Sequence, residues 1–209
     1  MKAIMLMSSI ILAILLLPVP SFFLSPDNAF AYPPGVGILS KAKNCLACHT
    51  NNGPWSDEAR TIIDIIEINS LKSFRQTDGS FLLQVKRNES LTVRTVIGRK
   101  TSPQEAVPYR NAWIYIDPTT IESSSLSKFA PGWDVNLQLA CRVTGDLLDG
   151  YGHTALTTLP MTIRPSDAAR DAQVVLQVML TRGESVKGKP KEGMVGNYFQ
   201  RSVRLEVLD

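Results

Sequence analysis

Five consecutive residues, Cys45-Leu46-Ala47-Cys48-His49, bring two thiols and an imidazole together at a spacing with a defined chemistry. Two cysteines three positions apart sit on the same side of one turn of chain, so both sulfurs can add as thioethers across the vinyl groups of one porphyrin. The histidine that follows then lies under the ring plane with its imidazole aimed at the iron. C-x-x-C-H is the attachment signature of c-type haem. The spacing predicts one covalent haem c, bonded to Cys45 and Cys48, with His49 as the proximal iron ligand. Covalent attachment lets a short segment keep a large apolar cofactor that it could not hold by burial alone. Three other readings compete. A redox-active thiol pair belongs in front of a helix in a βαβ setting, and no such pattern surrounds these residues. A zinc half-site needs two further ligands, and the remaining Cys141 and His153 form no second pair. The third is chance.

The start of the chain sets the compartment. Lys2, an apolar run from residue 3 to 17, Pro18 and Pro20, and then Ala29-Phe30-Ala31 follow the order of a secretory signal with an A-x-A processing site. The expectation is a cleavable signal over residues 1–31, with the mature chain opening at Tyr32 in the periplasm or another exported compartment. From Ala3 to Leu24 the apolar segment is close to membrane length, so membrane contact is expected only if that segment is retained. Cleavage would leave 178 of the 209 residues at an unchanged net charge of +3. That excess is too small to argue for nucleic acid. With 44% hydrophobic and 20% charged residues, the chain is neither disordered nor a multi-span membrane protein. Three cysteines cannot build the disulfide framework usual in exported domains, which leaves the paired thiols to other chemistry.

The elements that must position the motif divide into a segment at residues 32–60 and a domain at 61–209. In the segment, Pro33, Pro34 and Gly35 keep the start extended, one or two helical turns fit within residues 39–50, and Gly53-Pro54 closes it with a turn. From Ile62 the texture becomes β-branched. The run 62–68 is nearly saturated with apolar side chains, as in a strand buried on much of both faces. Asp78-Gly79 and Asn88-Glu89 bracket residues 81–85 and read as two hairpins joining 62–68, 81–85 and 91–97. Further strands are expected at 112–116, 135–142, 157–163, 172–181 and 198–207. In the last, Val203, Leu205 and Val207 alternate with Ser202, Arg204 and Glu206. The fold expected is mainly β: a single Ig-like β-sandwich of seven or eight strands, with a short N-terminal haem-bearing segment packed against it. The packing follows from area, because burying apolar surface is worth about 25 cal/mol per Å² and the β-domain is the one large apolar partner available to the segment.

In its motif the chain resembles the c-type cytochromes, over residues 32–55. The small helical members of that group need several helices and a methionine loop, which this sequence does not offer. The layout is more similar to the cytochrome f family: an exported β-sandwich with its C-x-x-C-H close to a mature N-terminus that opens Tyr-Pro, as Tyr32-Pro33 would here. That resemblance implies the α-amine of Tyr32 as a candidate sixth iron ligand.

The other candidates for the sixth position come from the residues themselves. His153 lies in the Gly-rich stretch Gly150-Tyr151-Gly152, Met194 in Gly193-Met194-Val195-Gly196, and Met161 in an expected strand where core packing competes with ligation. Met179 and Cys141 read as core, and Trp55 as either a haem-edge or a core contact. Lys187, Lys189 and Lys191 read as a solvated basic loop, or as a docking face for an acidic redox partner. No Ser/His/Asp set, paired carboxylates or phosphate loop argues for an enzyme. The function expected is a monohaem one-electron carrier working with redox partner proteins. The alternatives are a haem subunit of a larger periplasmic oxidoreductase, and an open-site haem sensor or enzyme.

Overall fold

The computed structural model describes residues 42–121, 128–186, 188–189 and 191–209. The expected signal segment, Tyr32 and Lys187 lie outside these residues. Among those described, nine strands follow one another: β1 (Thr61–Glu67), β2 (Phe81–Lys86), β3 (Leu91–Lys100), β4 (Arg110–Ile116), β5 (Trp133–Val135), β6 (Leu139–Val143), β7 (Thr154–Pro165), β8 (Ala172–Gly183) and β9 (Met194–Leu208). They form a four-stranded sheet in the order β1-β3-β7-β5 and a five-stranded sheet in the order β2-β9-β8-β4-β6. The two sheets pack face to face as a β-sandwich. The protein is mainly β, as its alternating and β-branched runs predict.

One apolar core lies between the sheets. Ile63, Ile65 and Met161 reach it from the first sheet, and Leu83, Trp113 and Leu176 from the second. Period-2 geometry explains which residues enter: in β8, Val174, Leu176, Val178 and Leu180 point inward, and in β9 Phe199, Val203 and Leu205 do. Two polar pairs inside cross between the layers. The Thr95 and Tyr115 hydroxyls share a hydrogen bond of 2.8 Å, and the Asn111 amide donates to the Ile97 carbonyl at 2.9 Å. Such pairing offsets the desolvation that a buried polar group would otherwise suffer.

The two expected hairpins do not form. β1 pairs antiparallel with β3 (Ile63 opposite Ile97), whereas β2 leaves for the other sheet and pairs in parallel with β9 (Phe81 opposite Val203). Asp78-Gly79 does turn the chain, with Gly79 at φ 83°, and Asn88 adopts φ 62°, so both local signals are real. They mark places where the chain crosses between layers, because a turn signal fixes a change of direction and not the pairing partner. The expected strand at 135–142 divides for the same reason. Val135 ends β5 in the first sheet, Leu139 begins β6 in the second, and Gln138 between them is buried, its side chain donating to the Tyr115 carbonyl at 2.9 Å. An alternating apolar pattern continues through such a crossing and hides it.

Candidate functional site

The motif begins on a single tight turn. Cys45–Ala47 is one turn of 3₁₀-helix, capped by Asn44, whose side chain accepts from the Leu46 N–H at 3.0 Å. The Cys48 and His49 N–H groups both donate to the Cys45 carbonyl, at 3.2 and 2.9 Å. Both thiols and the imidazole therefore belong to one hydrogen-bonded unit.

That unit lies on the outer face of the five-stranded sheet. Since the even residues of β8 fill the core, Gln177, Met179 and Thr181 point away from it, yet they are only 5%, 0% and 4% exposed. The segment meets this face at Gln177. Gln177 grips it with both ends of its amide: Oε1 accepts from the Cys45 N–H at 3.0 Å, and Nε2 donates to the Lys43 carbonyl at 3.1 Å. The Cys45 Sγ approaches the same Oε1 at 3.5 Å. Further along, the Gly53 N–H donates to the Gly196 carbonyl at 2.8 Å. Asn197 accepts from the Trp55 N–H at 2.7 Å, and Asn51 accepts from the Tyr198 N–H at 3.0 Å. Gly53 is required here, because a Cβ would stand 2.5 Å from the Asn197 side-chain oxygen and 2.9 Å from the Gly196 carbonyl carbon. The segment ends on Trp55, fully buried in the core with its indole N–H on the Ala106 carbonyl. Of the two roles weighed for Trp55, the fold gives it core packing. Arg99, 3% exposed, closes this end by donating to the Trp55 and Asp57 carbonyls and pairing with Glu105.

Within the motif the groups are unequal. Cys45 is half-buried and Cys48 exposed. Burial pushes the Cys45 thiol up to about 12, the neighbouring Cys48 adding to the rise. Burial also holds the His49 imidazole below its ordinary value, which favours the neutral ring that a metal requires. Its Nδ1 is buried without a hydrogen-bond partner. Tyr198, opposite Met179 on the same face, has its phenol pushed up to about 12 by burial and by the adjacent Cys45. Two thiols and a neutral imidazole on one turn are a donor set that fits a covalent haem. Among the described residues no cage of three or more His, Cys, Asp or Glu side chains forms. A haem iron needs none, because the porphyrin supplies four of its donors.

The remaining candidates separate in space. Met161 is 1% exposed in the core, opposite Val93, which is the packing role. His153 is exposed beside the four-stranded sheet, at φ 54°, its carbonyl accepting from the Thr101 N–H and hydroxyl. Met194 is the first residue of β9, opposite Gly183, where the sequence suggests a loop; its carbonyl accepts from the Thr50 hydroxyl at 3.4 Å, one residue beyond His49. Met179 is fully buried, as expected, but lies outside the sandwich core, beside Gly196 of β9. Cys141 is exposed on edge strand β6, a correction to the expected buried thiol: the alternation sends Ala140 inward and Cys141 outward. Lys189 is paired with Glu192, and Lys191 is exposed. Sequence reasoning missed Gln177, Asn197 and Tyr198. The one available signal was Gln177, a lone amide interrupting the apolar run Val174-Val175-Leu176-Gln177-Val178-Met179-Leu180.

No protein-family model matches the chain, and no curated protein matches it in sequence. Among solved structures, the ASH / PapD-like domain of human CEP192 (PapD-like domain 7) is similar over 75% of this chain and 92% of that one, at 8% identity and a TM-score of 0.33, a likeness too distant to bear on function.

Proposed function

We propose that the protein is an exported monohaem c-type cytochrome that carries one electron at a time between redox partner proteins. The observation that supports this best is the single capped turn that holds Cys45, Cys48 and a neutral His49 together on a rigid sheet. A haem bonded there would supply reversible one-electron exchange. The chain's own contribution is to fix the turn through Gln177 and Asn197, and to offer one imidazole nitrogen in its neutral form. Rigid support suits a carrier, since unchanged geometry in both oxidation states keeps reorganisation small.

Mass spectrometry of the exported protein tests the reading. The expected result is a chain beginning at Tyr32 plus one haem that resists acid–acetone extraction, and a mature mass without that addition would end it. For the sixth position Met194 is the favoured candidate, supported by its backbone contact with Thr50. Methionine ligation gives a far-red charge-transfer band in the oxidised protein, and Met194→Leu should abolish it. A second reading, an open-site sensor or enzyme, has its own support in the burial of Met161 and the position of His153 beside the other sheet. It predicts a high-spin spectrum and ready CO binding by the reduced protein.

A further inference from the structure

The two sulfurs of the motif have different surroundings, and one side chain stands between them and symmetry. Cys45 is the first residue of its 3₁₀ turn, so its N–H has no partner within the turn and must find one elsewhere. It finds Oε1 of Gln177, 132 residues away in sequence, and the Nε2 of the same amide holds the Lys43 carbonyl just upstream. A glutamine that is 5% exposed is tolerated in the middle of an apolar strand only because both ends of its amide are bonded. The bidentate grip fixes the direction in which the turn leaves the sheet. The Cys45 sulfur faces the amide at 3.5 Å, while Cys48 remains exposed.

We propose that Gln177 is the positioning residue of the Cys45–His49 turn, and that its grip makes Cys45 the shielded and Cys48 the reactive thiol of the pair. The inequality is a property of the polypeptide; its bearing on haem attachment rests on the function proposed above. Any electrophile that reaches the folded chain meets Cys48 first, and Cys45 becomes available when the amide lets go.

The experiment is alkylation of the haem-free full-length chain with iodoacetamide under native conditions, each cysteine being quantified by peptide mass spectrometry. Cys141, exposed and on another strand, serves as an internal reference. In the unaltered chain Cys48 and Cys141 should label at least about tenfold faster than Cys45, following their exposure. Gln177→Met keeps the side chain's shape and removes both hydrogen bonds. It should raise Cys45 labelling about tenfold, with Cys48 and Cys141 unchanged and the thermal midpoint moved by only about a few degrees. Gln177→Glu keeps the acceptor for the Cys45 N–H and loses the donor to Lys43, so it should fall between the two. If Gln177→Met does not fold, Gln177→Glu decides the matter by the same ratio of Cys45 to Cys48. Equal labelling of Cys45 and Cys48 in the unaltered chain would overturn the proposal, as would a folded variant in which the Cys45 rate does not move. A general acceleration of all three sulfurs in both variants would also overturn it, since it would mark a role in overall folding only. A chain that carries no haem yet shows the expected labelling would end the cytochrome reading and leave the positioning role standing. A haem-bearing chain whose haem-free form labels evenly would do the reverse.

Discussion

Over the four-stranded sheet, the loop at residues 146–153 lays Leu148 and Tyr151 on Ile66, Val96 and Leu156, three side chains with no exposed surface. Over the five-stranded sheet, the segment 42–55 is held by amides: Gln177, Asn197, Asn51 and Asn52 make its bonds to β8 and β9. The first cover is tied by polar groups as well. At its ends the Thr158 N–H donates to the Asp146 carboxylate at 2.7 Å, and the Thr101 N–H and hydroxyl donate to the His153 carbonyl. The Tyr151 hydroxyl adds a bond to the Asp64 carboxylate at 2.9 Å, but between these ties the cover rests on apolar side chains. An apolar contact contributes stability in proportion to area and tolerates small sliding, whereas a set of directed hydrogen bonds contributes less each but fixes orientation. The cover that carries the Cys45–His49 turn is the one held mainly by amide side chains, and the other adds an apolar cluster to its polar ties.

That contrast can be broken by mutation, and the largest effect should come from the apolar side. Leu156→Ala empties a fully buried position on β7 and should cost about 2–4 kcal/mol of global stability, measured by urea denaturation. A cost below about 1 kcal/mol would mean that the loop closes over the gap. On the amide side, Asn197→Ala strands the buried Trp55 N–H and should cost about 1–3 kcal/mol, with hydrogen exchange rising in residues 50–56 and not in the 146–153 loop. Gly53→Ala should act at the same place through a clash, and rescue by combining it with Asn197→Ala would show that the two share one contact. Tyr151→Phe removes one hydrogen bond and should cost about 1 kcal/mol.

The smallest effect is a pH dependence. Burial, with the Asp64 carboxylate adding to it, raises the Tyr151 phenol above its ordinary 10.0 in the folded protein. The folded state therefore prefers the protonated phenol more strongly than the unfolded chain does. This contribution is complete below pH 10.0 and declines as the pH climbs beyond it. The stability gap between the unaltered chain and Tyr151→Phe should accordingly be flat near neutrality and narrow above pH 10.0, as read from paired denaturation curves. A gap that narrows on acidification would contradict the assignment.

Much of this architecture was legible in local pattern. The β-branched run of β1, the alternation of β9 and the apolar stretch of β8 each declare a strand, because burial on one or both faces leaves a period in the sequence. The motif turn was legible too, since its chemistry depends on residues within five positions. What local pattern could not supply was partnership. Asp78-Gly79 and Asn88-Glu89 mark real turns, yet the strands that they separate pair elsewhere. Val135 and Leu139 share one alternating pattern and belong to different sheets. Gln177 was visible as an oddity in an apolar run, but its partners, Cys45 and Lys43, lie more than 130 positions away. A buried amide tells the reader that a partner exists without saying where.

The placement of the motif's anchors also sets a timetable. The turn at Cys45 belongs near the beginning of the chain, while its footholds are on β8 and β9, separated from it by 132 residues for Gln177, and Trp55 is separated from Asn197 by 142. Loop closure over such distances is slow, and nothing nearer in sequence supplies the same bonds. The turn at Cys45 therefore stays unclamped until β8 and β9 have been made. Only then can Gln177 close on Cys45, so the arrival of β8 decides when the two thiols become unequal, one shielded and the other still exposed.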